Sequence, residues 1–215
     1  MIKPDKNPIH RQLLDWYLDR KFKQRISSVN YFYHSQPIDC LLEGIEKHSV
    51  LLIGNHSTWW DGFVGWQLNR KLLKKDFFIM MLEENLKKMW FFRKIGAFSI
   101  DPGNRSMIES LRYASELLKK PQNMVQFYPQ GKLYSLYERT FEFNKGLGVI
   151  LKNNPNVDIV YYAMFVDYGS NEKPYLNIFL DRVDTASGYT VEELQHWYHK
   201  HYEQSLAKHL QLFKP

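Results

Sequence analysis

The chain has 215 residues, 44% of them hydrophobic and 24% charged, enough for one domain with a full apolar core. Its 29 Lys+Arg against 23 Asp+Glu give a net charge of +6, which suits three kinds of partner: nucleic acid, an anionic membrane surface or a phosphorylated ligand. A single cysteine, Cys40, excludes an internal disulfide and reads as a structural thiol in a reducing compartment.

Residues 9–26 read as a helix with an apolar stripe of Leu14, Tyr17, Leu18, Phe22 and Ile26. Residues 1–26 carry Lys3, Lys6, Arg11, Arg20, Lys21, Lys23 and Arg25 against Asp5, Asp15 and Asp19. Two readings follow: an interfacial helix docking on anionic lipid, or a core-covering helix with a solvated basic face. We divide the chain into this basic amphipathic segment, 1–30, and a main domain, 31–215. The start, MIKPDKNPIHRQ, lacks the apolar region of a secretion signal. The longest apolar runs, Phe77–Leu82 and Ile159–Val166, fall well short of the ~18 residues that span a membrane.

Strand-like and helix-like stretches then alternate. Strands are expected at 49–54, 77–81, 97–101, 123–128, 157–166 and 175–180. Helices are expected at 61–75, 83–94, 106–120, 146–153 and 190–212, the last opened by a capping box of Thr190 and Glu193. The pattern predicts an α/β fold with a central, mostly parallel sheet flanked by helices. Ligands of such sheets bind beyond the carboxyl ends of the strands, so the loops after residues 54, 101 and 128 are where chemistry belongs. Lys87–Lys94 sets Met89, Trp90, Phe91 and Phe92 between basic pairs, which reads as a membrane-surface segment in preference to a helix end buried in the core with charged flanks.

The first of those loops reads Asn55-His56-Ser57-Thr58-Trp59-Trp60-Asp61. Five positions on a regular helix is about 500° of rotation. A His56–Asp61 contact therefore needs a bend, with His56 before or at the start of the helix and Asp61 inside it. A carboxylate on one imidazole nitrogen leaves the other as a base. His196, His199 and His201 lack an H-E-x-x-H pattern, and we assign no metal. No helix-turn-helix, zinc or RNA-binding signature appears, so nucleic acid is not the expected partner.

The string Asn55–Phe63 resembles the first motif of the PlsC-type glycerolipid acyltransferases. Gly96–Asp101 is similar to that family's second block. Phe127-Tyr128-Pro129-Gln130-Gly131-Lys132 is similar to its third, usually Phe-Pro-Glu-Gly-Thr. Phe143–Gly146 resembles the lysine-glycine step that follows, and Ile159–Ala163 falls where the fourth block's strand lies. The resemblance covers residues 49–166 and implies a glycerol-phosphate acyltransferase-like fold. It also implies an activity: transfer of a fatty-acyl chain from acyl-CoA or acyl carrier protein to a lipid acceptor. His56 would be the general base, oriented by Asp61, and the acceptor would attack directly, without an acyl-enzyme. It further implies substrate contacts at Asn55, Ser57, Gln130 and Gly131, with oxyanion donors among the N–H groups near Gly131. Beside the resemblance, Arg105 is a candidate substrate contact in the loop after the second block, and Lys132, Arg139 and Lys145, clustered after the third, are candidates to bind an anionic carrier.

Two positions depart from the family. Pro102 stands where an arginine usually follows the second-block aspartate, the next arginine being Arg105, and Gln130 stands where the third block has glutamate. Both suggest an acceptor other than lysophosphatidate: a glycosylated lipid, a terpenoid sugar or an amino-acid lipid. The alternatives are a 1-acylglycerol-3-phosphate acyltransferase, a thioesterase using the same base, and a lipid-surface binding protein without catalysis. The expected co-substrate is the acyl thioester, with no further cofactor. The expected place is the cytoplasm, peripheral on the inner face of the cell membrane.

Overall fold

The computed structural model describes residues 1–34, 38–152, 154–183 and 189–212. In chain order the elements are α1 (Pro8–Arg25), β1 (Val29–Tyr33), α2 (Ile38–Leu42), β2 (Val50–Gly54), α3 (Asp61–Leu68), β3 (Asp76–Leu82) and α4 (Glu83–Lys88). Then come β4 (Ala97–Ile100), α5 (Ser106–Leu117), β5 (Asn123–Phe127), α6 (Gly146–Leu151), β6 (Asp158–Asp167), β7 (Tyr175–Arg182) and α7 (Val191–Gln211). The seven strands form one sheet in the order β1-β7-β6-β2-β5-β3-β4. Every neighbouring pair is parallel except β6 with β7.

Strand alternation sorts the core into two layers. Val50, Leu52, Met124, Val160, Tyr162 and Met164 face the layer that holds Leu18 and Phe22 of α1 and Val64 and Trp66 of α3. Leu51, Ile53, Val125, Ile159, Tyr161 and Ala163 face the opposite layer, with Leu111, Leu147, Leu194 and Tyr198 from α5, α6 and α7. β2 is buried on both faces, which is why its sequence, VLLIG, is a continuous apolar run rather than an alternating one.

Several elements differ from the sequence reading. The helix expected at 61–75 ends at Leu68, widens into a π turn over Asn69–Leu73 and stops at Lys74, whose φ is 53°. The helix expected at 83–94 stops at Lys88 and tightens to a 3₁₀ segment, Trp90–Ile95. β1 and α2 lie in a stretch for which no element was expected. The Thr190–Glu193 capping box is present, with bonds of 3.1 and 2.8 Å. Cys40, read as structural, is exposed.

α1 lies against the sheet's helical layer. Leu18, Phe22 and Ile26 are buried and Leu14 packs beside them, but Tyr17 is exposed, together with Ile9, Leu13 and Trp16. Much of this segment's charge is spent on the rest of the protein. Lys6 and Arg11 reach Asp76 at 2.7 and 3.4 Å, Lys94 reaches Asp5 at 2.5 Å, and Arg70 reaches Asp19 at 2.8 Å. In the Lys87–Lys94 segment Phe92 is buried and Phe91 packs against the core, which leaves Trp90 exposed. Among the described residues no helix is long and apolar enough to cross a membrane.

α7 docks on the sheet through histidines held neutral by burial. His201 is pushed down to about 3, chiefly by burial and further by His34, against a bond to the Phe179 carbonyl. His34 and His209 are lowered for the same first reason. Unfolded chains take up these protons as pH falls below about 6.5, whereas the folded protein resists. Stability is therefore complete above that pH and lost as it falls toward 3. From His201 alone, the urea-unfolding free energy is expected to drop by about 2 kcal/mol between pH 7.5 and 5, and His201→Gln should flatten that slope.

Candidate active site

β2 delivers the site. Its buried run ends at Gly54 on the carboxyl edge of the sheet, and Asn55 fixes how the chain leaves. The Asn55 amide donates to the Met164 carbonyl at 3.0 Å and accepts from the Met164 N–H at 2.8 Å. Asn55 is buried, with both ends of its amide engaged, so it clamps the loop to β6.

The loop that follows wraps a carboxylate. Asp61, fully buried at the first residue of α3, accepts from the Ser57 N–H (2.7 Å), the Thr58 N–H (3.0 Å) and the Thr58 hydroxyl (2.5 Å). Its Oδ2 also lies 2.9 Å from His56 Nδ1. The required bend is there: His56 precedes the helix and Asp61 opens it. A carboxylate only accepts, so this contact puts the proton on Nδ1 and leaves the Nε2 lone pair available. The His56 side chain is 27% exposed, against 0% for Asp61, so the histidine reaches the surface and its partner does not.

The third-block loop grips His56 by its backbone. Gln130 Oε1 accepts from the His56 N–H at 2.8 Å, and the Tyr134 N–H donates to the His56 carbonyl at 2.9 Å. Gln130 is thus a buried support for the loop, and glutamine can do this job where the family usually has glutamate. Gly131 turns the chain at φ 71°, a left-handed geometry that disfavours side chains, and a Cβ there would sit 2.7 Å from the Asn144 amide nitrogen. Its N–H donates to the Tyr128 carbonyl at 3.1 Å, so of the N–H groups in this region its own is committed to the turn.

Arg105 immediately precedes α5, Lys145 immediately precedes α6, and Lys132 lies 5.2 Å over the Tyr134 ring; all three are exposed. None of them bonds to His56 or Asp61 among the described residues. His199 Nε2 sits 2.8 Å from the Phe141 carbonyl, while His201 is buried against β7. Among the described residues no group of three or more His, Cys, Asp or Glu is placed to hold a metal ion.

Sequence reasoning missed four contributors. Thr58 adds two of the bonds to Asp61. The Tyr128 ring stacks on His56 at 4.3 Å and 16°. Gln126 donates to the Asp61 carbonyl at 3.1 Å, and Tyr162 bonds the Tyr128 hydroxyl at 3.0 Å. Gln126 did leave a signal, as a polar residue set between apolar Val125 and Phe127 in the strand NMVQF.

A parallel sheet carrying a His–Asp pair at the carboxyl end of a buried strand is an enzyme architecture. The family model described as Acyltransferase matches residues 28–163, more than half of the chain. The chain belongs to that family, the PlsC-type acyltransferases, and is a transferase of acyl groups. No curated protein matches it.

Proposed function

We propose that the protein moves a fatty-acyl chain from a thioester, acyl-CoA or acyl carrier protein, onto a hydroxyl or similar group of a lipid-like acceptor. His56 Nε2 takes the acceptor's proton as its oxygen attacks the thioester carbonyl. The carbon–oxygen bond forms, the carbon–sulfur bond breaks, and His56 returns the proton to the departing thiolate. Asp61 orients the imidazole and balances its transient charge. The observation that carries this reading is the contact between a part-exposed His56 and a fully buried Asp61 whose carboxylate accepts from three further donors. The N–H of Lys132, next after the committed Gly131, is our candidate oxyanion donor. The reaction needs no resident cofactor.

We place the reaction at a membrane surface, on the cytoplasmic face. Trp59, Leu133, Leu136 and Tyr137 are exposed on the two loops that surround His56, and Tyr137 is 92% exposed. Apolar tips beside Lys132 and Arg139 suit an anionic bilayer. Pro102 leaves the loop after β4 without the family's arginine, which supports an acceptor other than lysophosphatidate. Gln130 Oε1 serves the backbone of His56, so Pro102 is the departure on which the acceptor reading chiefly rests.

The test is thiol release from long-chain acyl-CoA or acyl carrier protein, with acceptors presented in anionic or neutral vesicles. Release should depend on acceptor, favour anionic vesicles, and occur with glycosylated or amino-acid lipids. Release with lysophosphatidate alone would overturn the acceptor assignment. Release that ignores the acceptor would mark a thioesterase. No release from either donor would leave a lipid-surface binding protein.

A further inference from the structure

We propose that Tyr128 is a positioning residue for His56: its ring fixes the plane of the imidazole, and Gln126 and Tyr162 hold that ring in place. The proposal rests on His56 acting as the base. One hydrogen bond cannot aim an imidazole. The contact from Nδ1 to Asp61 sets the position of one nitrogen, but the ring can still rock about that bond. A second ring stacked face-on blocks the rocking, and Tyr128 provides it at 4.3 Å between centroids and 16° between planes. The two constraints are nearly perpendicular, and together they aim Nε2 at one point.

Tyr128 is itself held at both ends. On the chain side its carbonyl accepts from the Gly131 N–H, and Pro129 follows it directly. At the far end its hydroxyl meets the Tyr162 hydroxyl at 3.0 Å and the side-chain amide nitrogen of Gln126. That amide nitrogen also donates to the Asp61 backbone carbonyl at 3.1 Å. One side chain therefore links the wall behind His56 to the helix start that carries its partner. Tyr162 is braced in turn, its carbonyl accepting from the Tyr198 hydroxyl at 3.1 Å.

The backbone makes room for this assembly. A Cβ on Gly54 would come within 3.0 Å of the Tyr162 ring, and one on Gly65 within 3.0 Å of the Gln126 amide. Burial, with Tyr162 and the charge of Asp61 nearby, pushes the Tyr128 hydroxyl well above its ordinary value. Tyr128 thus stays a neutral wall and does not compete with His56 for protons.

The test compares Tyr128→Phe, which keeps the ring, with Tyr128→Leu, which removes it. Tyr128→Leu is expected to lower kcat about 30- to 100-fold with KM within about twofold, because a tilted base loses near-attack geometry without losing substrate contacts. Tyr128→Phe should keep kcat within about fivefold of the parent, since it retains the stack. NMR of histidine-labelled protein gives a readout independent of turnover. The His56 Hε1 resonance should lie upfield through the Tyr128 ring current, stay there in Tyr128→Phe and move downfield in Tyr128→Leu. Full kcat in Tyr128→Leu, or equal damage in both variants, would overturn the proposal. Should Tyr128→Leu not fold, the parent protein decides: nuclear Overhauser contacts between the two rings support the stack, and their absence sinks it. His56→Ala run alongside separates the claims. If it stays active, the assignment of the base falls; if it is dead while Tyr128→Leu is unaffected, the role of Tyr128 falls.

Discussion

Replacing Asp61 with asparagine is expected to lower acyl-transfer turnover by about 10²- to 10³-fold while leaving the fold intact. The geometry makes this a clean substitution. Oδ2 accepts three donors, from His56, Ser57 and Thr58, and Oδ1 accepts only the Thr58 hydroxyl. An asparagine oxygen at the Oδ2 position keeps all three bonds. Its NH₂ then faces the Thr58 hydroxyl, which rotates from donor to acceptor. What disappears is the charge opposite the imidazolium that forms during the reaction. Two charges about 4 Å apart at an effective dielectric of 20 interact by about 4 kcal/mol, or on the order of 10³ in rate. Asp61→Ala differs because it orphans two backbone N–H groups and a hydroxyl, each at about 1–3 kcal/mol. The paired measurement is thermal midpoint and turnover. Near-parental turnover in Asp61→Asn would reduce Asp61 to a loop-building residue.

Gly54→Ala should be the most damaging single-methyl change near the site. Tyr162 is fully buried and bonded through its hydroxyl to Tyr128, so its ring cannot swing clear of a new Cβ. Overpacking of this kind costs about 1–3 kcal/mol and more where neighbours are pinned. We expect about 3 kcal/mol, which for a chain of this size lowers the melting midpoint by roughly 6–12 °C. Turnover measured well below the new midpoint should also fall, since a displaced Tyr162 releases Tyr128. A variant with both parental stability and parental turnover would show that Tyr162 has somewhere to go.

The sequence revealed what is local and hid what is distant. His56 and Asp61 lie five positions apart; the resemblance implied their contact, and helix geometry said that it needs a bend. The strands β2 to β7 were visible as apolar or alternating runs. β1 was not, because its five residues are half-buried or exposed and its partner β7 lies far along the chain. The ends of two helices were misplaced because tertiary bonds set them. The Asn69 amide brackets the Lys75 backbone with bonds of 2.9 and 2.8 Å, and this closes a π turn that no helix period announces. At the site, Gln130 was read as an acceptor contact because family patterns record residue type, not direction. Its bond to the His56 N–H, 74 positions away, turns it inward. Tyr128 read only as the end of a strand and a member of the third block, since nothing in its own neighbourhood says which ring it covers.

The pairing of β1 with β7 sets the timing of folding. Asn30 meets Asn177 across 147 positions of chain. At the ~5–20 residues per second of protein synthesis, β1 waits roughly 7–30 s for its partner to be made. Throughout that interval the strand Val29–Tyr33 lacks its sheet partner. Closing so long a loop is slow for entropic reasons and comes late. In the finished enzyme β1 pairs with β7 along its whole length, and in a newly made chain that pairing waits until β7 has been synthesised.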